Sequence, residues 1–516
     1  MKVLSVQQMR NLDKKTIEEL GISGLILMEN AGRMTAQKIM EHFGHIIGDG
    51  EIVIIAGKGN NGGDGFVVAR HLHNMGKRVK AILIPKRKEV TGDADVNLKI
   101  LEKLKFEIIY AEGNYETIQK HLIENKSIKI VVDAIFGTGL DSEVKGIYRE
   151  VIELINSLNV IRVAVDIPSG LSGDKGIPLG VCVHAHLTVT FGLPKMGLLT
   201  YPGREYVGIL EIADIGFPKE FIEEIEPSGY LLDEKFIRSI LKPREKNTHK
   251  GTYGHLLAIC GSIGKTGAAC LTALGGIKSG AGLVTLTVPE SIAGFVDARV
   301  LESLTFPLKD KDGFISLDIS AIEKALSEKT AVAIGPGIGV NDDTVELVSY
   351  IVENSKIPVV IDADGINSLS KNLEVLRKKK SDIILTPHPG EMARLVSSTS
   401  KDVQNNRLEV ALDFAKKFEV YVVLKGAGTI ISTPEGKIYF NQTGNPGMAS
   451  GGMGDVLTGL IGGFLAQGYE PWKAASLGVY IHGRAGDMAS QKIGKWGFGA
   501  EELAGFIPSV ISEILG

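Results

Sequence analysis

The chain has 516 residues, too many for one hydrophobic core, which predicts two or three domains. Its 57 basic and 61 acidic residues leave a net charge of −4 with an ordinary 44% of hydrophobic residues, which excludes a strongly basic nucleic-acid-binding protein, so no nucleic-acid partner is expected. The sequence has no apolar run near the ~20 residues of a membrane span, and its start does not resemble a signal peptide. Its three cysteines lack paired spacing. We therefore expect a cytoplasmic protein with no membrane partner.

The first predicted elements are two helices. Ser5 is suited to cap the first helix, Met9 and Leu12 share one face of it, and Gly21 is suited to end it. A second helix is predicted over 24–43. The chain therefore begins with helical structure ahead of its first strand.

Four short runs rich in β-branched residues follow, at 51–57, 79–84, 128–137 and 161–170. Helical stretches such as "FVVARHLHNMG" lie between them. Continuous apolar strands joined by helical crossovers indicate a parallel sheet that is covered on both faces. This part of the chain is therefore predicted to be a doubly wound α/β domain.

The regular alternation stops around 217–250, where charged residues, prolines and glycines accumulate. We place the domain boundary here, with a first domain at 1–216, a linker at 217–235 and a second domain at 236–516. The strands predicted after the boundary are 254–261, 282–289, 331–337, 357–365, 382–390 and 421–428. They again indicate parallel strands, so both domains are expected to be doubly wound α/β domains.

The first glycine-rich motif, "AGKGNNGGDG", lies between the strand at 51–57 and a predicted helix. Gly57, Gly59 and Gly62 satisfy the GxGxxG pattern, in which amides at a helix start approach an anion. The dinucleotide fingerprint also needs an acid at the end of the second strand, which reads "AILIPKRK" and has none. An ordinary NAD-binding arrangement is therefore disfavoured, and a tight packing turn remains the alternative.

Two later strands end in acids, Asp133 in "VVDAIFGTGL" and Asp166 in "AVDIPSGLSGD". Because ligands of open parallel sheets bind beyond the carboxyl ends of the strands, we expect both acids and the glycine loop at 57–65 to face one crevice. The alternative is that each aspartate only caps a turn. His184 and His186 are expected on one side of a strand, where structural histidines are favoured over a metal pair.

The segment richest in glycine, "NPGMASGGMGDVLTG" at 445–459, precedes a predicted helix. Gly451, Gly452 and Gly454 would bring backbone amides close to a phosphate, and the positive end of the helix dipole adds to the attraction. Asp455 would lie in the first turn, poised to accept a proton from a hydroxyl that attacks a terminal phosphoryl group. The alternative is a glycine-rich helix that packs closely against a neighbour.

Further motifs of the second domain support phosphoryl transfer. Lys425 in "VLKGAGT" precedes a glycine turn suited to a nucleotide. His388, Gly390 and Glu391 in "TPHPGEMARL" lie in a strand-to-helix turn, although turn rigidity between two prolines would also explain the histidine. A P-loop in "GSIGKTG" is excluded, because GxxxxGK[ST] requires a glycine where Ile259 stands.

At this point the motifs can be compared with known families. "AGKGNNGGDG", "DAIFGTGL" and "DIPSGLSGD" resemble the YjeF N-terminal family of NAD(P)H-hydrate epimerases. "TPHPGE", "LKGAGT" and "NPGMASGGMGDVLTG" resemble the carbohydrate-kinase-like family of NAD(P)H-hydrate dehydratases. In this order, the two domains resemble the family of bifunctional NAD(P)H-hydrate repair enzymes over nearly the whole chain. The resemblance implies a Rossmann-like first domain and a ribokinase-like second domain.

The resemblance also implies two activities. The first domain would interconvert the R and S forms of hydrated NADH and NADPH, with K⁺ bound. The second would dehydrate the S form at the expense of ADP, giving AMP and phosphate, or of ATP, with Mg²⁺ bound. The partners implied are therefore these small molecules, and a homo-oligomer is expected.

Matching motifs transfer the site residues of the family to this chain. The implied epimerase substrate site consists of Asn60, Asn61, Gly62, Gly63, Asp64, Gly137, Thr138, Gly139, Leu140, Asp141, Ser142, Glu143, Tyr148 and Asp166. The implied potassium ligands are Asn61, Asp133 and Ser169. The implied dehydratase substrate site consists of Gly339, His388, Pro389, Gly390, Glu391, Met392, Ala393, Arg394 and Asp455. The implied ADP site consists of Lys425, Gly426, Ala427, Gly428, Thr429, Asn445, Pro446, Gly447, Met448, Ala449, Ser450, Gly451, Gly452, Met453 and Gly454.

Two of these residues are predicted to be catalytic. Asp455 would be the base of the dehydratase, and Asp166 would be an acid/base group in epimerisation by either ring opening or loss and return of water. Two other interpretations remain open. A small-alcohol kinase would use the same aspartate and glycines and release a phosphorylated product. The first domain could also be a binding or scaffold module without catalysis.

Overall fold

The computed structural model describes residues 1 to 516. The chain divides into two compact units, Lys2–Gly229 and Tyr230–Gly516, with Met1 counted in the second. No helix combines the length and the apolar character that spanning a bilayer requires. Each unit is built around its own extended sheet.

The N-terminal unit alternates strands and helices, as predicted. Its strands are β1 (Lys2–Val3), β2 (Glu51–Ala56), β3 (Arg78–Leu83), β4 (Ile108–Tyr110), β5 (Ile128–Ala134), β6 (Ile161–Val165), β7 (Leu187–Phe191) and β8 (Ile209–Ala213). Its helices are α1 (Val6–Leu20), α2 (Gly24–Ile47), α3 (Asn60–Asn74), α4 (Gly92–Lys103), α5 (Tyr115–Ile123), α6 (Ile147–Ser157), α7 (Met196–Leu199), α8 (Arg204–Val207) and α9 (Lys219–Glu224). Strands β2 to β8 form one parallel sheet in the order β4-β3-β2-β5-β6-β7-β8.

Both faces of this sheet are buried, because β2 is apolar at nearly every position. Ile52 and Ile54 belong to one hydrophobic core, and Val53 and Ile55 belong to the core on the opposite face. Alternate residues of a strand point to opposite faces, so an apolar strand requires cover on both sides. The predicted doubly wound α/β architecture is confirmed for this unit.

The first helix has the ends that the sequence predicts. Ser5 and Gln8 form a capping box, with Gln8 N donating to Ser5 Oγ at 3.2 Å and Ser5 N donating to Gln8 Oε1 at 2.9 Å. Gly21 ends the helix with φ of 72°, a left-handed conformation that favours glycine. Met9 and Leu12 are buried on one face.

The glycine-rich segment at 57–65 is not a loop throughout, which corrects the prediction. Helix α3 begins at Asn60, so the second half of the segment forms its first turns. Gly62 permits this start, since a Cβ there would lie 2.2 Å from the carbonyl oxygen of Gly57. Backbone amides at this helix start therefore lie directly beside the end of β2.

His184 and His186 do not lie on a strand, which corrects a second prediction, because β7 begins only at Leu187. His186 Nδ1 accepts a hydrogen bond from the backbone of Arg162 at 3.0 Å. The His184 ring lies 4.3 Å from that of Tyr206, centroid to centroid. The structure contains no group of three or more His, Cys, Asp or Glu side chains arranged to hold a metal ion.

The C-terminal unit is also a layered α/β structure. Its strands are β9 (Gly229–Leu232), β10 (His255–Ile259), β11 (Leu283–Thr287), β12 (Leu304–Thr305), β13 (Asp310–Lys311), β14 (Phe314–Ile315), β15 (Ala331–Ile334), β16 (Val359–Ile361), β17 (Ile383–Leu385), β18 (Tyr421–Leu424), β19 (Ile430–Ser432) and β20 (Ile438–Asn441). Its helices are α10 (Glu234–Ile240), α11 (Thr266–Lys278), α12 (Ala293–Asp297), α13 (Ile319–Leu326), α14 (Asp342–Asn354), α15 (Ala363–Leu369), α16 (Pro389–Leu395), α17 (Ser400–Asn405), α18 (Arg407–Phe418), α19 (Met453–Ala466), α20 (Pro471–Lys492) and α21 (Ala500–Leu515).

The main sheet of this unit runs in the order β9-β20-β19-β18-β17-β16-β15-β10-β11-β12, and β13 pairs with β14 in a hairpin. All six predicted strands are present and parallel to their predicted neighbours. Strands β18, β19 and β20 pair antiparallel, which the sequence interpretation did not foresee. The connections between them are too short for the helical crossover that parallel strands need.

Helices α11 and α19 pack with their backbones in contact. A Cβ on Gly275 would lie 2.2 Å from the carbonyl oxygen of Val456, and a Cβ on Gly459 would lie 1.9 Å from that of Thr272. Only glycine fits at such positions. Gly459, which follows Asp455 in the motif, therefore serves helix packing, as the alternative interpretation of this segment expected.

Candidate active sites in the two units

The carboxyl end of β5 carries a fully buried acid. Asp133 is 0% exposed, and its two oxygens accept hydrogen bonds from Ser169 Oγ at 2.5 Å and Ser169 N at 2.7 Å. No cationic side chain pairs with it, and burial raises the pKa of Asp133 to about 6. The structure thus brings together two of the three predicted potassium ligands, although Asp133 is buried rather than facing an open crevice.

The third predicted ligand, Asn61, lies beside the loop that follows β5. A Cβ on Gly137 would be 3.1 Å from Asn61 Oδ1, and Asn61 Nδ2 is buried without a hydrogen-bond partner. The start of α3 also approaches this loop through its backbone, because a Cβ on Gly57 would lie 2.2 Å from the carbonyl oxygen of Ile135. Glycine is therefore required where the two segments meet.

Asp166 follows β6 in a left-handed conformation, with φ of 64°. For a residue other than glycine this costs on the order of 1 kcal/mol or more, so its surroundings must hold it there. Its Oδ1 accepts hydrogen bonds from Lys195 Nζ at 2.6 Å and Thr190 Oγ1 at 3.1 Å. Lys195, in "LPKMG", was missed by the sequence analysis, because no motif or spacing rule marks an isolated lysine before a short helix.

Two more acids interact electrostatically with this pair. Burial raises the pKa of Asp13, on α1, to about 6, although the ammonium of Lys195 lowers it. Burial, reinforced by Asp166 and Asp13, raises the pKa of Asp64 well above its usual range. The Asp166–Lys195 ion pair is therefore surrounded by two acids whose neutral forms are favoured by burial.

The remaining predicted epimerase residues lie in the loop between β5 and α6 and on α6 itself. Tyr148, in the first turn of α6, packs against Phe136 with ring centroids 4.8 Å apart. The guanidinium of Arg10, on α1, donates to the carbonyl oxygen of Thr138. The loop at 137–143 therefore lies beside the buried Asp133 on one side and α1 on the other.

In the C-terminal unit, α19 begins at Met453 and places Asp455 in its first turn, as predicted. A Cβ on Gly451 would meet nothing within 4 Å, so backbone is open to a ligand there. Burial, followed by the carboxylate of Asp362, raises the pKa of Asp455 to about 7. A carboxyl group that titrates near neutral pH is suited to general base catalysis.

Lys425 lies among acids in this site. Its Nζ donates to Asp362 Oδ1 at 2.5 Å and lies 3.9 Å from Glu391 Oε2. Thr458 Oγ1 donates to Asp362 Oδ2 at 2.7 Å. Burial alone would lower the pKa of Lys425, but Asp362 and Glu391 outweigh it and the pKa is raised. Lys425 is therefore an ammonium at neutral pH, as a phosphate contact requires.

The sequence analysis missed two acids at the end of β16, in "IDADG". Asp362 is 1% exposed, and Asp364 Oδ2 accepts hydrogen bonds from Gly339 N at 3.0 Å and Lys265 Nζ at 2.8 Å. A strand-end acid was the signal that drew attention to two aspartates of the first domain. The same signal, applied to the second series of strands, would have found Asp362.

The "TPHPGE" turn is fixed by its own histidine. His388 Nδ1 accepts hydrogen bonds from Gly390 N at 2.9 Å and Glu391 N at 3.2 Å and so caps α16. Burial, followed by the charges of Lys425 and Arg394, lowers the pKa of His388, which keeps this nitrogen an acceptor. The side chain stays 52% exposed, so His388 holds the turn while presenting its ring to the solvent side.

The predicted ADP segment lines a cavity of about 500 Å³. The lining residues are Pro446, Gly447, Ala449, Ser450, Gly451, Lys495, Trp496, Gly497, Phe498 and Gly499. Asn445 fixes this segment through both ends of its amide, accepting from Gly447 N at 3.0 Å and donating to Asp487 Oδ1 at 3.0 Å. Trp496 is 91% exposed at the cavity, and sequence reasoning did not select it.

The other predicted nucleotide loop, at 425–429, is held by a buried arginine. Arg407 is 2% exposed, and its Nη2 donates to the carbonyl oxygens of Leu424 at 3.0 Å and Lys425 at 3.2 Å. Thr429 Oγ1 closes the loop by donating to the carbonyl oxygen of Gly426 at 2.9 Å. The shape of this loop is therefore fixed before any ligand binds.

Two solved structures are each similar to about half of this chain. An ADP/ATP-dependent NAD(P)H-hydrate dehydratase from Bacillus subtilis, co-crystallised with ATP and Mg²⁺, is 30% identical, with a TM-score of 0.49 over 55% of this chain and 99% of its own. The yeast protein YNL200c is 27% identical, with a TM-score of 0.39 over 45% of this chain and 96% of its own.

Sequence comparisons cover the whole chain. Residues 24–197 match the family described as YjeF-related protein N-terminus, and residues 256–509 match the family described as NAD(P)H-hydrate dehydratase. The bifunctional NAD(P)H-hydrate repair enzyme Nnr of Moorella thermoacetica is 42% identical over 100% of this chain and 97% of its own length. That of Escherichia coli K12 is 32% identical over 89% of this chain and 85% of its own. The chain therefore belongs to the family of bifunctional NAD(P)H-hydrate repair enzymes, with an epimerase unit followed by a dehydratase unit.

Proposed function

We propose that the N-terminal unit interconverts the R and S epimers of hydrated NADH and NADPH, and that the C-terminal unit dehydrates the S epimer with ADP, giving AMP and phosphate. The observation that carries the dehydratase proposal is Asp455, an acid of pKa about 7 in the first turn of a helix entered through glycines. An acid that titrates near neutral pH beside the open backbone at Gly451 supports a base next to a phosphoryl group.

The first step of the proposed dehydration is phosphoryl transfer. Asp455 takes the hydroxyl proton of the S hydrate while that oxygen forms a bond to the terminal phosphorus of ADP, and the bond from this phosphorus to AMP breaks. The amides of Gly451, Gly452 and Gly454 donate hydrogen bonds to the charge that spreads over the phosphoryl oxygens. Lys425 adds a positive charge from the side of Asp362.

The second step restores the nicotinamide ring. The phosphate leaves with the electrons of the carbon–oxygen bond, assisted by the lone pair of the ring nitrogen. Loss of a proton from the neighbouring ring carbon then forms the double bond. The hydroxyl oxygen of the hydrate leaves in the phosphate, so the reaction removes water without releasing it.

Mg²⁺ fits the donors of this site. The negative charges of Asp362 and Asp364 both raise the pKa of Asp455. Mg²⁺ binds through one or two carboxylates together with phosphate oxygens and water, so Asp364, whose side chain is 19% exposed, would hold it against the nucleotide. When bound, it would supply positive charge to the phosphates.

For epimerisation we propose that Asp166 accepts the hydroxyl proton and that Asp64 acts as its acid partner. Either ring opening or loss and return of water needs one group that takes a proton and one that gives it. Asp64, whose pKa is raised by burial, and the ion-paired Asp166 would supply both within one charge cluster. The other epimerase residues inferred from the family motifs would bind the rest of the hydrate.

K⁺ fits the pocket of Asp133, Ser169 and Asn61. A buried carboxylate without a cationic partner is unfavourable, and an oxygen-rich surrounding suits a hard monovalent cation. We expect epimerase activity to fall when K⁺ is replaced by tetramethylammonium, and the Asp133→Asn variant to lose this dependence. Rates that are equal in both salts for the unaltered enzyme would argue against the potassium site.

We further propose domain limits of 1–216 and 236–516 joined by 217–235, since both family matches fall inside them.

A homo-oligomer formed through a second copy is supported by Phe295, Leu301 and Leu304, which are 73%, 83% and 52% exposed. Sedimentation of the full chain as a monomer would contradict it. Three free cysteines support a reducing, cytoplasmic setting.

The test uses a mixture of both NADH-hydrate epimers with the full-length protein and Mg²⁺. The return of reduced-nicotinamide absorbance is followed with ADP, with ATP and with neither. We expect a fast phase that consumes the S form and a slow phase limited by conversion of R to S. Recovery that stops after the fast phase would reject the epimerase. No recovery, with ATP consumed on addition of small alcohols, would favour the kinase alternative.

A further inference from the structure

The N-terminal unit buries a lysine to which neither the sequence motifs nor the proposed reaction assigns a role. Lys195 is 1% exposed. Its Nζ donates to Asp166 Oδ1 at 2.6 Å, Thr190 Oγ1 at 2.9 Å and the carbonyl oxygen of Phe191 at 3.3 Å. All three donors of the ammonium are therefore used, which is the condition for burying such a charge.

The groups that hold Asp166 come from β7 and from the residues directly after it. Thr190 and Phe191 end β7, which pairs in parallel with β6, and Asp166 follows directly after β6. The backbone N–H of Asp166 donates to the carbonyl oxygen of Val189 at 2.8 Å, which fixes the main chain. The hydroxyl of Thr190 and the ammonium of Lys195, which lies between β7 and α7, fix the carboxyl group, so both ends of Asp166 are held by β7 and the residues directly after it.

We propose that Lys195 is the positioning residue of the epimerase, whose ammonium fixes the Asp166 carboxylate in the orientation that the reaction needs. The proposal rests on the proposed role of Asp166 as the acid/base group. Lys195 is too buried to touch the hydrated cofactor, so it acts through Asp166 rather than on the substrate.

The charges around Asp166 make the role of Lys195 measurable. The ionisable groups coupled to the pair are Asp13 and Asp64, and Lys195 is the only cation among them. Lys195 lowers the pKa of both acids. Removing its charge would therefore raise the pKa of Asp64, the proposed acid partner, and move the alkaline limb of the epimerase pH profile to higher pH, whereas a loss of packing alone would leave that limb in place.

The experiment compares variants of the full-length protein in the two-phase assay. Lys195→Met removes the charge and keeps the length of the side chain, and Lys195→Arg keeps the charge. Lys99→Met is the matched control, because Lys99 forms an ion pair with Asp95 at the same 2.6 Å but is 59% exposed on α4. The fast phase is the internal control in each variant, since the dehydratase belongs to the other unit.

For Lys195→Met we expect a slow phase reduced about 100-fold in kcat with little change in KM, and an alkaline limb displaced to higher pH. Lys195→Arg should keep the limb in place with a rate about tenfold lower, because the larger guanidinium displaces the carboxylate. Lys99→Met should match the unaltered protein. A folded Lys195→Met protein with the normal slow phase and pH profile would overturn the proposal.

Two further outcomes separate this proposal from its premise. If Asp166→Asn leaves the slow phase unchanged, the proposed role of Asp166 fails, and the positioning role of Lys195 fails with it. If Asp166→Asn removes the slow phase while Lys195→Met keeps it, only the positioning role fails. Should Lys195→Met not fold, Lys195→Arg decides, since a full rate in that variant shows that the geometry at Asp166 does not matter.

Discussion

The two units share a charge arrangement on different folds. Each buries one lysine beside three acids: Lys195 with Asp13, Asp64 and Asp166 in the first unit, and Lys425 with Asp362, Glu391 and Asp455 in the second. In each cluster a single ammonium cannot neutralise all the carboxyl groups. At least one acid therefore has a pKa raised toward or above neutral pH in each site.

The two clusters differ in which acid the lysine holds. Lys195 is 1% exposed and pairs with Asp166, the acid proposed to react. Lys425 is 17% exposed in its side chain and pairs with Asp362, which leaves Asp455 apart from the ion pair. The lysine of the first unit is therefore proposed to orient the reacting group, whereas the more exposed lysine of the second is proposed to contact a phosphate.

The largest effect expected is at Asp455, the acid set apart from its lysine. Asp455→Asn should slow the fast phase on the order of 10³-fold, because an amide cannot take the hydroxyl proton, while ADP still binds. Isothermal titration with ADP and the absorbance assay check both parts. Glu323→Gln, an exposed acid on α13, is the control. Retained turnover in Asp455→Asn would show that the acid outside the ion pair is not the base.

The corresponding change in the first unit is Asp166→Asn. We expect the slow phase to fall about 100-fold and the fast phase to stay unchanged, because only the epimerase loses its proton acceptor. Separation of the R and S hydrates by chromatography measures the exchange directly. Unchanged exchange, in this variant or in Asp166→Ala, would favour a unit that binds without catalysis.

The raised pKa of Asp455 predicts a pH dependence of the fast phase. Below a pKa of about 7 the neutral acid dominates, so the rate should fall about tenfold for each pH unit as the base is protonated, and level off above it. The initial rate with excess ADP, measured from about pH 5.5 to pH 8.5, checks this sign. A flat profile would mean that Asp455 is already ionised throughout and that burial does not tune it.

The smallest expected effect concerns the cavity that the predicted ADP segment lines in the C-terminal unit. Trp496 is exposed at the cavity of the ADP segment, where its ring could stack on a nucleobase. Trp496→Ala should raise the KM for ADP about fivefold to tenfold, or ~1–1.4 kcal/mol, with kcat unchanged, and Trp496→Phe should restore most of it. Quenching of tryptophan fluorescence by ADP should also disappear in Trp496→Ala but persist in Trp472→Phe.

An unchanged KM for ADP in Trp496→Ala would show that the nucleobase of ADP does not stack on Trp496. Trp472 is the matched residue for the fluorescence measurement, because the chain has only two tryptophans. Its ring stacks on Tyr439 with centroids 5.3 Å apart, so it already has an aromatic partner within its own unit. Quenching that persists in Trp496→Ala would come from Trp472.

Much of the fold follows from local sequence signals. The cap at Ser5, the stop at Gly21 and the apolar runs of both sheets predicted elements that the structure confirms, because these signals act within a few residues. The antiparallel pairing of β18, β19 and β20 was missed, because β19 and β20 are short and the turns that join these strands were not recognised from the sequence. The start of α3 was placed too late, because glycines suggested a loop where close packing required them.

The sequence by itself determined the family, the order of the two units and the placement of Asp455 at a helix start, because long motifs carry their local geometry with them. Only the tertiary structure decided which charges meet. Lys195 lies 29 residues from Asp166, and Lys425 lies 63 residues from Asp362, and no local rule connects them. The pKa of a buried acid depends on all the charges that the folded chain places around it, so the electrostatics of both candidate sites depend on tertiary packing.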